Sequence, residues 1–104
     1  QPDYLNAVVR LHTELSAIAL LDALQEIERE QGRIRTVRWG PRTLDIDIIF
    51  FDDLILKGPG NLRIPRPELK HAFVLGPLAQ IAPDYVDPVS GLSMVKMWHA
   101  IDPP

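Results

Sequence analysis

The chain has 104 residues, 46% of them hydrophobic and 24% charged, with a net charge of −3 and no cysteine. That composition fits one globular α+β domain with a modest core; it excludes disulfides and thiolate metal sites and gives no global electrostatic reason to bind nucleic acid. No apolar run approaches the roughly 18 residues a membrane span needs, and the amino end carries no charged stretch followed by an apolar one, so a cytoplasmic protein without a membrane partner is expected. Gln1-Pro2-Asp3 is not an initiating sequence, which predicts further chain upstream.

Tyr4 to Leu15 alternates Ala7, Val9 and Leu11 against Asn6, Arg10, His12 and Glu14, the period of a half-buried strand. Ser16 then caps a predicted helix whose apolar face is Leu20, Leu21, Leu24 and Ile27, with Asp22, Gln25, Glu26, Arg29 and Glu30 on the other side and Gly32 as its stop. Residues 33–42 have no period, collect Arg33, Arg35, Arg38 and Arg42, and close on Gly40-Pro41, which reads as a mobile loop. Thr43 to Phe51 is predicted as a strand, turned by Asp52-Asp53 into a second one at Leu54–Lys57. After Gly58-Pro59-Gly60-Asn61 a short extended piece runs to Ile64, and Glu68 to Ile81 reads as helical with a break or a start at Gly76-Pro77. A turn at Pro88–Gly91 and a last short helix around Val95–Ala100 complete one layered unit.

The chemistry concentrates in R-W-G-P-R-T-L-D-I-D-I. On a strand, residues two apart share a face, so Asp45 and Asp47 stand roughly 7 Å apart at Cα, opposite Leu44, Ile46, Ile48 and Phe50. Two carboxylates at about 6 Å repel by roughly 2–3 kcal/mol at an effective dielectric of 20, so something positive compensates them. Ion pairing with nearby arginines or a solvated face would do so; so would Mg²⁺, which takes few oxygen ligands from protein and leaves the rest to water and phosphates. The four arginines repel one another unless an anion or the acidic strand neutralises them, and guanidinium forks fit phosphate oxygens. Loop and strand together suggest a clamped polyphosphate; a solvated basic loop is the plainer alternative, against which Trp39 counts, because a large aromatic in a polar loop wants something flat to pack on. No phosphate-cradling glycine motif is present. His12, His71 and His99 lack metal-ligand spacing.

These residues resemble a known family. Q-P-D-Y-L-N, the helix end Q-x-I-E-R-E-Q-G-R-x-R, R-W-G-P-R-T-L-D-I-D-I and I-P-x-P…A-F-V-L-x-P-L-x-x-I-A-P are together similar to 6-hydroxymethyl-7,8-dihydropterin pyrophosphokinase, over residues 1 to about 83. The resemblance implies a single pyrophosphokinase domain over 1–104, incomplete at its amino end. It implies a ferredoxin-like α/β sandwich, its mostly antiparallel central sheet flanked by helices, with the amino-terminal elements missing. The implied reaction moves the diphosphate of ATP to the hydroxymethyl group of a reduced pterin, giving AMP, in folate biosynthesis. Asp45 and Asp47 match the pair that holds two Mg²⁺ ions, and Arg33 and Arg42 the arginines of the chemical step. Gln25, Glu28, Arg35, Arg38, Trp39, Ile48, Arg63 and Arg66 match ATP-binding positions. Tyr4, Asn6, Trp39 and Phe73 match the pterin site. Small molecules are the implied partners, with fusion to another folate enzyme, or a separate amino-terminal fragment or partner chain, left open.

Two departures stand out. The family has histidine where this chain has Arg66, and E-L-K-H-A-F is one residue shorter and lacks the arginine before A-F-V-L; Lys70, His71 and Arg66 are the candidates to replace it. Two other classes stay open beside the enzyme: a truncated, inactive module that binds ATP or pterin, and a Mg²⁺-dependent nucleic-acid-processing fragment.

Overall fold

The computed structural model describes residues 5–34, 44–60 and 62–103, with 33 and 34 described by their backbone. The chain divides into two compact units, His12–Ile48 and a second built from Gln1–Leu11 and Ile49–Pro104.

In the first unit the main element is α1, Ala17–Ile34, rich in alanine, leucine, glutamine and glutamate. Ser16 caps it as the sequence predicts, its hydroxyl oxygen accepting from the Ala19 N–H at 3.1 Å. The covered stripe is not quite the predicted one. Ala17, Leu20, Leu21 and Leu24 line it, but the next turn covers Glu28 rather than Ile27, which is exposed. At 3.6 residues per turn the stripe drifts toward the i+4 position, and a carboxylate occupies it because it has a partner there. Gly32 does not stop the helix, which runs two residues further. Residues 44–48 lie in the same unit, and the loop expected over 33–42 falls outside the described residues from 35 to 42.

In the second unit Leu69, Leu75, Leu78, Met94 and Met97 form the core, with Val8, Ile49, Phe50, Tyr85 and Trp98 packed against it. The strand predicted over 4–15 forms no ladder among the described residues, and its predicted apolar face is not covered: Ala7, Val9 and Leu11 are exposed, as are Asn6, Arg10, His12 and Glu14, while Val8 is half-buried. Alternation fixes that neighbouring side chains point to opposite faces; which face is buried depends on a shift of one residue. Residues 44–51 likewise join no ladder among those described, although the Asp52–Asp53 turn forms, with Asp52 at φ 50°. The two-stranded antiparallel sheet that does form pairs β1, Leu56–Lys57, with β2, Arg63–Ile64, in the register Leu56 with Ile64 and Lys57 with Arg63. Gly58 and Gly60, both at positive φ, make the reversal between them.

A 3₁₀ turn, Pro67–Lys70, leads through His71 into α2, Ala72–Ile81. The predicted break at Gly76-Pro77 does not occur: Pro77 lies inside α2. Its ring conflicts with the carbonyl four residues back, that of Phe73 in the helix's first turn, where losing one bond disturbs little. Gly76 has a separate purpose. A Cβ there would meet the Trp98 ring at 3.3 Å, so its absence lets α2 approach α3, Met94–Ile101. Ser93 caps α3 through Lys96 N–H, and the preceding turn is held by buried Asp87, whose carboxylate accepts from the backbone of Val89 at 3.0 Å and Ser90 at 3.3 Å. Among the described residues no helix is long and apolar enough to cross a membrane.

Leu75 is 1% exposed and Val89 67%. Leu75→Ala is therefore expected to lower the unfolding free energy by about 2–5 kcal/mol in urea titrations, whereas Val89→Ala shifts it by about 0.5 kcal/mol or less.

Candidate functional site

Each unit contributes its own set of functional side chains. In His12–Ile48, Asp45 and Asp47 are both exposed, Ile46 is half-buried and Ile48 is buried, so the two carboxylates project on the side away from the apolar residues, as the spacing predicts. Glu28 is one residue that holds this segment. From the covered stripe of α1 its Oε2 accepts from the Ile46 N–H at 2.7 Å, the peptide between the two aspartates. A charged acceptor makes this bond stronger than a neutral one, and it binds the acidic segment to a rigid helix. Glu28 thus touches the site through backbone, a role its apparent position on the polar helix face does not disclose. Gln25 is exposed on α1. The Ile48 side chain is buried.

The donor set suits a hard cation: two exposed carboxylates on one face, in a chain without cysteine. Among the described residues no group of three or more histidine, aspartate or glutamate side chains gathers as a metal cluster. A pair is what Mg²⁺ needs when phosphates and water complete its shell.

In the second unit β1, β2 and the 3₁₀ turn enclose an open cavity of about 460 Å³ whose lining includes Lys57, Gly60, Arg63, Arg66 and Glu68. Cross-strand register sets Lys57 beside Arg63, and Arg66 is fixed at its backbone by donating to the Ile49 carbonyl at 3.0 Å. The guanidinium of Arg66 forks onto Glu68, Nη2 to Oε1 at 2.8 Å and Nε to Oε2 at 3.2 Å. That hydrogen bond, followed by a backbone contact of Glu68 itself, holds the Glu68 carboxyl below the ordinary glutamate value of 4.5. Lys57 and Glu68 are members of this group that the motifs do not announce; a hairpin register drawn through the Gly58–Asn61 turn reveals Lys57, and the two-residue spacing from Arg66 reveals Glu68.

Phe73 is exposed on the first turn of α2, with the His71 ring edge-on to it at 5.1 Å. An uncovered aromatic face suits stacking better than it suits a core. Asn6 is exposed on the irregular amino-terminal segment. Tyr4, Arg35, Arg38, Trp39 and Arg42 lie outside the described residues, as does the side chain of Arg33.

A family model described as 7,8-dihydro-6-hydroxymethylpterin-pyrophosphokinase (HPPK) matches residues 1–83. The chain belongs to the HPPK family. A 2-amino-4-hydroxy-6-hydroxymethyldihydropteridine pyrophosphokinase of Synechocystis sp. is 48% identical over 103 residues, covering 98% of this chain and 52% of that protein. Its counterpart in Pseudomonas aeruginosa is 53% identical over 85 residues, 81% of this chain and 52% of the relative. A folic acid synthesis protein fol1 of Pneumocystis carinii is 42% identical over 102 residues, 97% of this chain but 14% of the relative. The chain spans about half the length of the bacterial HPPK relatives it matches.

Two outcomes follow for this HPPK-family chain. Glu28→Ala should raise hydrogen exchange at the Ile46 amide by about tenfold, the loss of a bond worth roughly 1.5 kcal/mol, while Glu28→Gln keeps an acceptor and most of the protection. The Glu68 carboxyl, followed by NMR, should titrate below 4.5. A carboxylate with a depressed folded value contributes stability above its unfolded value and loses it as pH falls through the folded one, so the Arg66 fork should open only in acid below that point.

Proposed function

We propose that the protein carrying this chain transfers the β,γ-diphosphate of ATP to the hydroxymethyl group of 6-hydroxymethyl-7,8-dihydropterin, yielding AMP and the pterin diphosphate, as a cytoplasmic step of folate biosynthesis. The observation that carries this reading is the exposed Asp45–Asp47 pair held by Glu28 in a chain of the HPPK family. Attack of an alcohol on a β-phosphorus brings reacting groups among several negative oxygens, so catalysis depends on charge neutralisation and alignment more than on a proton acceptor.

In this reading Asp45 and Asp47 hold two Mg²⁺ ions, which supply Lewis-acid charge to the phosphates and the attacking hydroxyl. Arg33 and Arg42 take up negative charge as the bond toward AMP breaks. Arg35, Arg38 and Trp39 cover the nucleotide and exclude water, which protects ATP from hydrolysis. Gln25, Glu28, Ile48, Arg63 and Arg66 serve the nucleotide, Glu28 by steadying Ile46 and Ile48 by its main chain. Tyr4 and Phe73 stack the bicyclic ring and Asn6 reads its polar edge. The finer fold reading, a ferredoxin-like sandwich completed by amino-terminal strands, is supported by the exposure of Leu5, Val9 and Leu11, which further strands would cover. The large fungal relative supports fusion to another folate enzyme as one context for such a domain.

The test is AMP release by the protein, dependent on both the pterin and Mg²⁺. Binding of ATP without AMP would instead identify an inactive binding module. Asp47→Ala should reduce turnover by a factor on the order of 10³ or more and Arg35→Ala by less; near-normal turnover of the aspartate variant at physiological Mg²⁺ would defeat the assignment.

A further inference from the structure

We infer that Glu68 is a positioning residue for the nucleotide, acting through Arg66. The inference rests on the proposed nucleotide role of Arg66 and adds a residue that does not itself touch the ligand.

The backbone of Arg66 is already fixed. Its N–H donates to the Ile49 carbonyl, its carbonyl accepts from Leu69 N–H at 3.1 Å, and Pro67 follows it at the start of the 3₁₀ turn. The long side chain is held within the cavity wall by the bidentate fork from Glu68, two residues on, as one of its contacts. A guanidinium held in this way keeps its Nη1–Nη2 edge for two phosphate oxygens and need not first surrender its rotamer freedom on binding.

Glu68 also brings a negative charge into a cavity whose other charged lining residues, among those described, are Lys57, Arg63 and Arg66, and this by itself opposes an anion. The two effects have opposite signs, so their balance is measurable. The Glu68 side chain is 42% exposed and that of Arg66 22%. Solvent and salt screen the charge of the more exposed partner, whereas the ordering of the more covered one is not screened, so positioning prevails.

The experiment is calorimetric titration of MgATP into the protein and its Glu68→Ala, Glu68→Gln, Arg66→Ala and doubly substituted Arg66→Ala/Glu68→Ala variants, with steady-state kinetics on each. Glu68→Ala should raise both the Kd and the KM for ATP about five- to tenfold at unchanged kcat. Glu68→Gln, which keeps an acceptor, should fall between it and the parent. In the Arg66→Ala background, removing Glu68 should change nothing further, because the residue through which it acts is gone. Additive effects, unchanged affinity, or tighter MgATP binding in Glu68→Ala would overturn the positioning role while leaving the nucleotide reading intact. Absence of MgATP binding by the parent protein would remove the nucleotide reading itself and this inference with it.

Discussion

The hydrogen bond from Ile46 N–H to the Glu28 carboxylate is the constraint on which the functional face depends. Two aspartates on neighbouring outward positions repel, which calls for resistance in a segment that joins no ladder among the described residues. An anchored peptide midway between them supplies the resistance. It also explains why a carboxylate occupies the covered stripe of α1 where an apolar residue is expected: Ile27 yields the position and stays exposed.

Much of the local structure was legible. Ser16 acts as a cap, Asp52-Asp53 and Pro88–Gly91 turn, and the tail ends in a helix, because each depends on chemistry within a few residues. The failures are nonlocal. The alternation of residues 4–15 identifies two faces, yet the burial of Val8 rather than Val9 is settled by the core of Leu69, Leu75 and Leu78, far along the chain. Pro77 stays helical because packing of Leu75 and Leu78 outweighs what the ring disturbs. In the candidate site, Asp45 and Asp47 were readable from their spacing, whereas the tether on Glu28 and the fork on Glu68 require contacts that no period encodes.

The cavity of the second unit shows how a cationic wall is moderated locally. Arg66 brings permanent charge and several rotatable bonds to a wall that also carries Lys57 and Arg63. Glu68 acts on both at once, its fork reducing the net charge and restraining the Arg66 torsions. A lone arginine there would bring charge without direction.

The contact of Gly76 with Trp98 has an optical consequence. The chain has two tryptophans, one against α2 and the other in the arginine segment. The indole over Gly76 is a fluorophore whose emission follows the docking of two helices, remote in sequence from the residues assigned to the diphosphate. With the other indole replaced by phenylalanine, its colour and quenching would report the folding of the α2–α3 pair alone.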